Sequence, residues 1–108
     1  MTLAEDCYRV IKLFPREELF GLTSQIRRSA ASVPANIAEG HGREHTKTFV
    51  QYLRIAQGSL KELETHLLLA VRVNVVEESG LERPLAQCQE LGKMIRALIR
   101  SLQQREGR

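Results

Sequence analysis

No run of this 108-residue chain approaches the ~18 uninterrupted apolar residues of a membrane span, and no basic start with an apolar signal core precedes the first helical pattern. A soluble protein is expected, with the cytoplasm as its default compartment. Cysteine is scarce: Cys7 and Cys88 stand far apart and belong to no metal or redox motif, so reduced thiols buried on helix faces are expected rather than a disulfide framework. There is no internal repeat, glycine-serine linker or low-complexity tract, which leaves one domain over residues 1–108, of a size for a single core. Strong net charge is also missing, since sixteen basic and thirteen acidic residues leave only +3. The charges are unevenly distributed. Residues 23–61 hold six basic and two acidic side chains, residues 62–92 hold two and six, and residues 93–108 hold five and one. Such blocks can pair within a bundle or between subunits, or leave a basic surface for a polyanion.

What is present is helical periodicity. Between Leu22 and Gly42, Leu22, Ile26, Ala30, Val33 and Ile37 recur on one face, while Gln25, Arg28, Ser32, Asn36, Glu39 and Arg43 recur on another. The second row is rich in hydrogen-bonding groups where a solvated face would carry Lys and Glu pairs. It fits two roles: a polar network fixing helix register, through Ser59, Glu62 and their neighbours or across a subunit boundary, or a face that receives a partner. Pro34 lies inside this pattern without breaking its phase, so a single kinked helix is expected.

Before it, Leu3, Cys7, Val10, Ile11 and Phe14 form one amphipathic stripe, opened by Thr2 and Glu5 as a capping pair and stopped by Pro15. Leu19 and Phe20 are expected to pack under the bundle end, Thr23 or Ser24 to cap the second helix, and Gly40 to close it. The strongest rhythm is Phe49, Leu53, Ala56, Leu60, Leu63, Leu67 and Ala70, which predicts a long helix from about Lys47 to Val75 with Thr46 as its cap. Its end, LLLAVRVNVV, is apolar almost all round, which points to a subunit interface. Gly58 sits mid-helix at a cost of ~1 kcal/mol and marks a place of close approach. Ser79 and Glu82 read as the capping box of a fourth helix carrying Leu81, Leu85, Cys88, Gly92, Ile95, Ile99 and Leu102, with fraying expected after Gln104. The fold class is all-α, an antiparallel up-down four-helix bundle.

The segments FPREELFGLTSQIRRSAASVPANIAEGHGR, residues 14–43, and FVQYLRIAQGSLKELETHLLLA, residues 49–70, resemble the four-helix-bundle family first found encoded in intervening sequences of bacterial large-subunit ribosomal RNA genes. The resemblance spans all four helices. It implies a bundle assembling as a homopentameric ring, and a likeness to the accessory variability proteins of diversity-generating retroelements, basic pentamers that bind nucleic acid and a reverse transcriptase. Gln57 stands where a basic residue is common in the family, and His66 where glutamine is common.

Catalytic chemistry finds little purchase in the pattern. No nucleophile elbow or phosphate-cradling glycine loop occurs, Glu62 and Glu64 fall on different helix faces, and Ser24, Ser32 and Ser59 have no evident base. His41 and His45 flank Gly42 in a connector with no third ligand in register, so neither metal nor cofactor is expected. His66 reads as a packing or interface residue. Arg27, Arg28, Arg43, Lys47 and Arg54 gather around the Gly40 turn as candidate contacts to RNA or DNA. Tyr52 is the one aromatic beside them, so binding would be electrostatic and salt-sensitive. The expected function is a non-enzymatic homo-oligomeric scaffold. The alternative is an adaptor that binds a protein partner through the polar face of helix two, without nucleic acid.

Overall fold

In the computed structural model residues 2–15 and 21–106 are described, Thr2 and Glu106 by backbone alone. Among them run four α-helices: α1, Thr2–Ile11; α2, Leu22–His41; α3, Thr46–Arg72; and α4, Glu82–Glu106. The cap expected at Thr2 and the packing of Leu19 and Phe20 lie outside the described residues. The α1 stripe buries Leu3, Cys7, Val10 and Ile11. The α-helix stops at Ile11, short of Phe14, because the Lys12, Leu13 and Phe14 amides bond to carbonyls three residues back and tighten the turn before Pro15.

Helix α2 passes unbroken through Pro34. Its buried line is Ile26, Ala30 and Val33, with Ile37 half-buried against the core. Neither Thr23 nor Ser24 caps it, since Gly21 holds the N-cap position with no side-chain bond and Thr23 is buried in the first turn. Gly40 is not the terminator either. The helix runs to His41 and closes on Gly42, whose N–H reaches the Ala38 carbonyl at 3.2 Å. Gly40 is needed for packing, because a Cβ there would stand 2.6 Å from Tyr52 Cβ and 3.0 Å from Phe49 Cδ1 on α3.

Helix α3 buries Leu53, Ala56, Leu60, Leu63, Leu67 and Ala70 as its heptads require, while Val50 takes the buried place expected of Phe49. Thr46 is the first helical residue and not the cap, a position held by His45 without a side-chain bond. The helix ends at Arg72, three residues before Val75. Asn74 adopts a left-handed conformation at φ 61, so that its own N–H bonds to Val71 and the Val75 N–H bonds to Ala70. This is a Schellman closure with asparagine in place of glycine, and Val75 folds back onto the core as such closures favour. The expected Ser79–Glu82 capping box does not form. A 3-10 turn, Glu78–Leu81, leads into α4 without a side-chain cap and drives Leu81 fully into the core. Pro84 lies in the first turn of α4, where its missing N–H leaves no helical bond unmade. Helix α4 stays regular to Glu106, past the expected fraying point.

Side-chain partners set the direction of each neighbour. Arg28 meets Glu62 and Ser32 meets Ser59 between α2 and α3, while Arg43 meets Tyr52 at their other end. These partner numbers rise on one helix as they fall on the other, so α2 and α3 are antiparallel. Gln89 on α4 bonds to Glu64 on α3, and Leu60 packs near Gly92, which repeats the relation. Arg27 lies over Tyr8 and Asp6 pairs with Arg83, closing α1 against both α2 and α4. The result is an up-down bundle of 51 × 22 × 19 Å.

Gly40, in the last turn of α2, and Gly58, in the middle of α3, should respond in opposite ways to alanine. Gly40→Ala forces α2 away from α3 and should cost about 1–3 kcal/mol in urea unfolding. Gly58→Ala meets nothing within 4 Å and should raise stability by up to ~1 kcal/mol through helix propensity.

Candidate functional site

The polar row of α2 is bonded within the chain along most of its length. Ser32 Oγ and Ser59 Oγ share a hydrogen at 2.8 Å, and Asn36 Nδ2 donates to both the Ser32 carbonyl and its hydroxyl at 2.8 and 2.9 Å. Arg28 donates to Gln25 at 2.9 Å and forms an ion pair with Glu62. At the far end Arg43 donates to Glu39 at 2.5 Å and to the Tyr52 hydroxyl at 3.2 Å, with its guanidinium 5.5 Å from the Tyr52 ring centre. Glu39 and Tyr52 together hold Arg43 in its charged form. Gln25, Ser32, Asn36, Glu39, Ser59 and Glu62 are thus joined into short chains that tie α2 to α3 or brace α2 itself.

His66 joins one of these chains from below. Its Nε2 lies 3.6 Å from Glu62, yet the Glu62 charge is already matched by Arg28. Burial lowers the His66 pKa below its usual 6.5, and the Arg28 guanidinium adds to the effect.

The five candidate cations are not brought to one place. Arg27 lies early in α2 and Arg43 just past its C-terminal end, and the helix from Arg27 to His41 alone spans roughly 21 Å. Arg27 lies 5.9 Å over the Tyr8 ring on the α1 side. Arg28 and Arg43 have carboxylate partners, and Lys47 is exposed in the first turn of α3. Arg54 faces away from α2, toward α4, where it lines a groove of ≈ 410 Å³ with Lys61 and Arg96. Lys93, Arg96 and Arg100 lie from the middle of α4 toward its C-terminal end, where the helix dipole favours positive charge without any ligand. The partnership of Arg96 with Arg54 depends on the α3–α4 register, which no single-helix pattern reveals.

Nucleophile chemistry is poorly served. Cys7 and Cys88 are buried, and burial pushes each thiol up to about 12, with Asp6 adding at Cys7 and with Cys7 and then Glu64 adding at Cys88. Both are neutral at physiological pH and act as small apolar side chains. No group of three metal-ligating side chains occurs among the described residues, and the His41 ring packs edge-on against Phe49 at 5.8 Å. No helix among the described residues is long and apolar enough to cross a membrane.

Residues 1–97 match the family described as 23S rRNA-intervening sequence protein. The chain belongs to this family. A solved structure from Bacteroides thetaiotaomicron VPI-5482, described as a protein with unknown function from the S23 ribosomal protein family, is similar at 26% identity and a TM-score of 0.78. The alignment covers 90% of this chain and 94% of that one. None of the curated proteins matches the chain. The family assignment therefore carries the all-α fold with it, and neither the family nor the solved relative carries an activity in its description.

The His66 environment makes a pH prediction. Because the folded-state pKa is depressed, His66 contributes stability that is fully present above its unfolded value near 6.5 and is lost as pH falls through its folded value. Denaturant midpoints measured downward from pH 7.5 should decline from just above 6.5. His66→Gln should remove that part of the decline, leaving the later fall from carboxylate protonation.

Proposed function

We propose that this family member is a non-enzymatic scaffold that assembles with copies of itself in the cytoplasm and holds RNA or DNA through unpaired basic side chains. The observation that carries the reading is the apolar surface left on α3 and its end. Ile55, Leu68, Leu69 and Val73 are each close to half exposed, and Met94 and Leu98 on α4 are also exposed. Covering half of such a side chain returns ~1 kcal/mol, so these six would supply roughly 6 kcal/mol against an association cost of about 4–15 kcal/mol. One interface of this kind is marginal by itself. A closed ring gives every subunit two, and the family resemblance implies a ring of five.

The nucleic-acid half rests on charge. Arg54, Lys93, Arg96 and Arg100 have no ion-pair partner among the described residues, whereas Arg28 and Arg43 are committed to carboxylates. With few aromatics available, contact would fall on the phosphate backbone and weaken steeply with salt. The adaptor reading through the polar face of α2 is less well supported, because Ser32 and Asn36 already satisfy one another and Ser59.

Light scattering at micromolar concentration should return about five times the 12.3 kDa of the chain; a monomer would reject the assembly. Filter binding of an RNA oligonucleotide at two salt concentrations tests the second half, and no retention at the lower one removes it. Asn36→Ala with Arg28→Gln should lower stability without abolishing RNA retention. A folded variant that instead loses a protein partner would favour the adaptor.

A further inference from the structure

Gly58 has no reason within the chain to be glycine. It sits in the middle of the longest helix, its backbone is ordinary, and a Cβ there would meet nothing within 4 Å. The helix forgoes ~1 kcal/mol of propensity at a position where its own packing asks for no space. Gly58 lines the α3–α4 groove, and across from it Gly92 is buried on α4. The Arg96 guanidinium lies over Gly92, with Nη1 3.4 Å from where a Cβ would stand, so this second glycine lets a cation fold across the floor.

Three of the four charged side chains that line this opening are cations, Glu64 being the exception. Arg54 and Arg96 line it with no ion-pair partner among the described residues, and Lys61 lines it at 3.8 Å from Glu64. Glu64 is itself engaged by Gln89 Nε2 at 2.8 Å. Antiparallel α3 and α4 extend the same sign beyond the groove, since Lys47 lies two turns from Arg54 and Arg100 one turn from Arg96 toward the same end. The groove, ≈ 410 Å³ in volume, is lined by the cations Arg54, Lys61 and Arg96 and the amides Gln57 and Gln89, which offer a strand of phosphates charge and hydrogen-bond partners together.

We propose that the α3–α4 groove is the phosphate-binding track of the scaffold, in which Arg54 and Arg96 engage successive backbone phosphates of single-stranded RNA and Gly58 leaves room for the strand. The assignment rests on the nucleic-acid reading above and moves its centre from the Gly40 turn to the opposite face of α3. Affinity there comes from the phosphates rather than from base stacking, because no aromatic side chain lines the groove.

The test is fluorescence-anisotropy titration of a labelled unstructured RNA with the full chain between about 50 and 200 mM salt. Three variants are compared with the parent: Arg54→Gln with Arg96→Gln removes the charge, Gly58→Gln fills the space while keeping it, and Lys12→Gln with Arg72→Gln removes two cations elsewhere. Two lost contacts should lower the salt slope by about 1.4 and weaken binding at least about tenfold at the lower salt. Gly58→Gln should weaken binding comparably with its helix content intact, and the Lys12 and Arg72 control should stay within about twofold. Binding by the parent that the groove variants leave unchanged overturns the track and spares the broader reading. No binding by the parent at the lower salt overturns both. A change in molar mass by light scattering for Gly58→Gln would place a sister subunit at Gly58, and would overturn the track as well.

Discussion

The close approach of α2 to α3 at Gly40 is the constraint from which the rest of the bundle follows. Only a hydrogen at that position lets the backbone of α2 lie against Tyr52 and Phe49. Once the two helices meet there, antiparallel geometry places Ser32 opposite Ser59 and Arg28 opposite Glu62 further along. A small shift along the axis would break the hydroxyl pair and the ion pair together. The buried line of Ile26, Ala30 and Val33 then meets Ala56, Leu60, Leu63 and Leu67 in one register. Apolar burial supplies most of the stabilisation, and the Ser32–Ser59 and Arg28–Glu62 pairs are satisfied in this register.

The same constraint divides the surface. The α2–α3 seam commits Arg28, Arg43 and Tyr52 to internal partners, so the turn at Gly42 carries less free positive charge than its composition suggests. On the far side of α3, the helix that donates Glu62 to the seam presents Arg54 and Lys61 to α4. Structural and outward-facing charges are thereby segregated onto opposite flanks of one helix. The apolar residues Ile55, Leu69 and Val73 lie outside the core of the single chain. Short α1, only ten residues, spans roughly 15 Å of a bundle whose longest helix spans roughly 40 Å, which concentrates the exposed area on α3 and α4.

Much of this architecture was legible in the residues. The four-three rhythm of α3 and α4 and the stripe of α1 name the core almost position by position, because a 3.6-residue period with apolar residues on one face has only one way to avoid water. The Ser32–Ser59 and Arg28–Glu62 contacts were also foreseeable as a polar row facing α3. Helix ends are less legible in the residues. Thr23, Thr46 and Ser79 have the chemistry of caps, but none makes a capping bond, and the ends are set instead by burial of Thr23 and Leu81 and by the Asn74 closure. An asparagine between valines was the local signal for that closure, masked by the apolar run around it.

By itself the sequence determined the helices, their inward faces, the family and the absence of a conventional catalytic motif, since each of these is written in local spacing or residue type. Only the tertiary structure decided which cations are free. Arg27, Arg28, Arg43, Lys47 and Arg54 look equivalent along the chain, and whether a charge meets a carboxylate, an aromatic ring or another cation depends on residues brought near by packing. The roles of the glycines were decided in the same way. Gly40 and Gly58 are alike in one dimension, but a Cβ on one would strike a neighbouring helix and a Cβ on the other would meet open space.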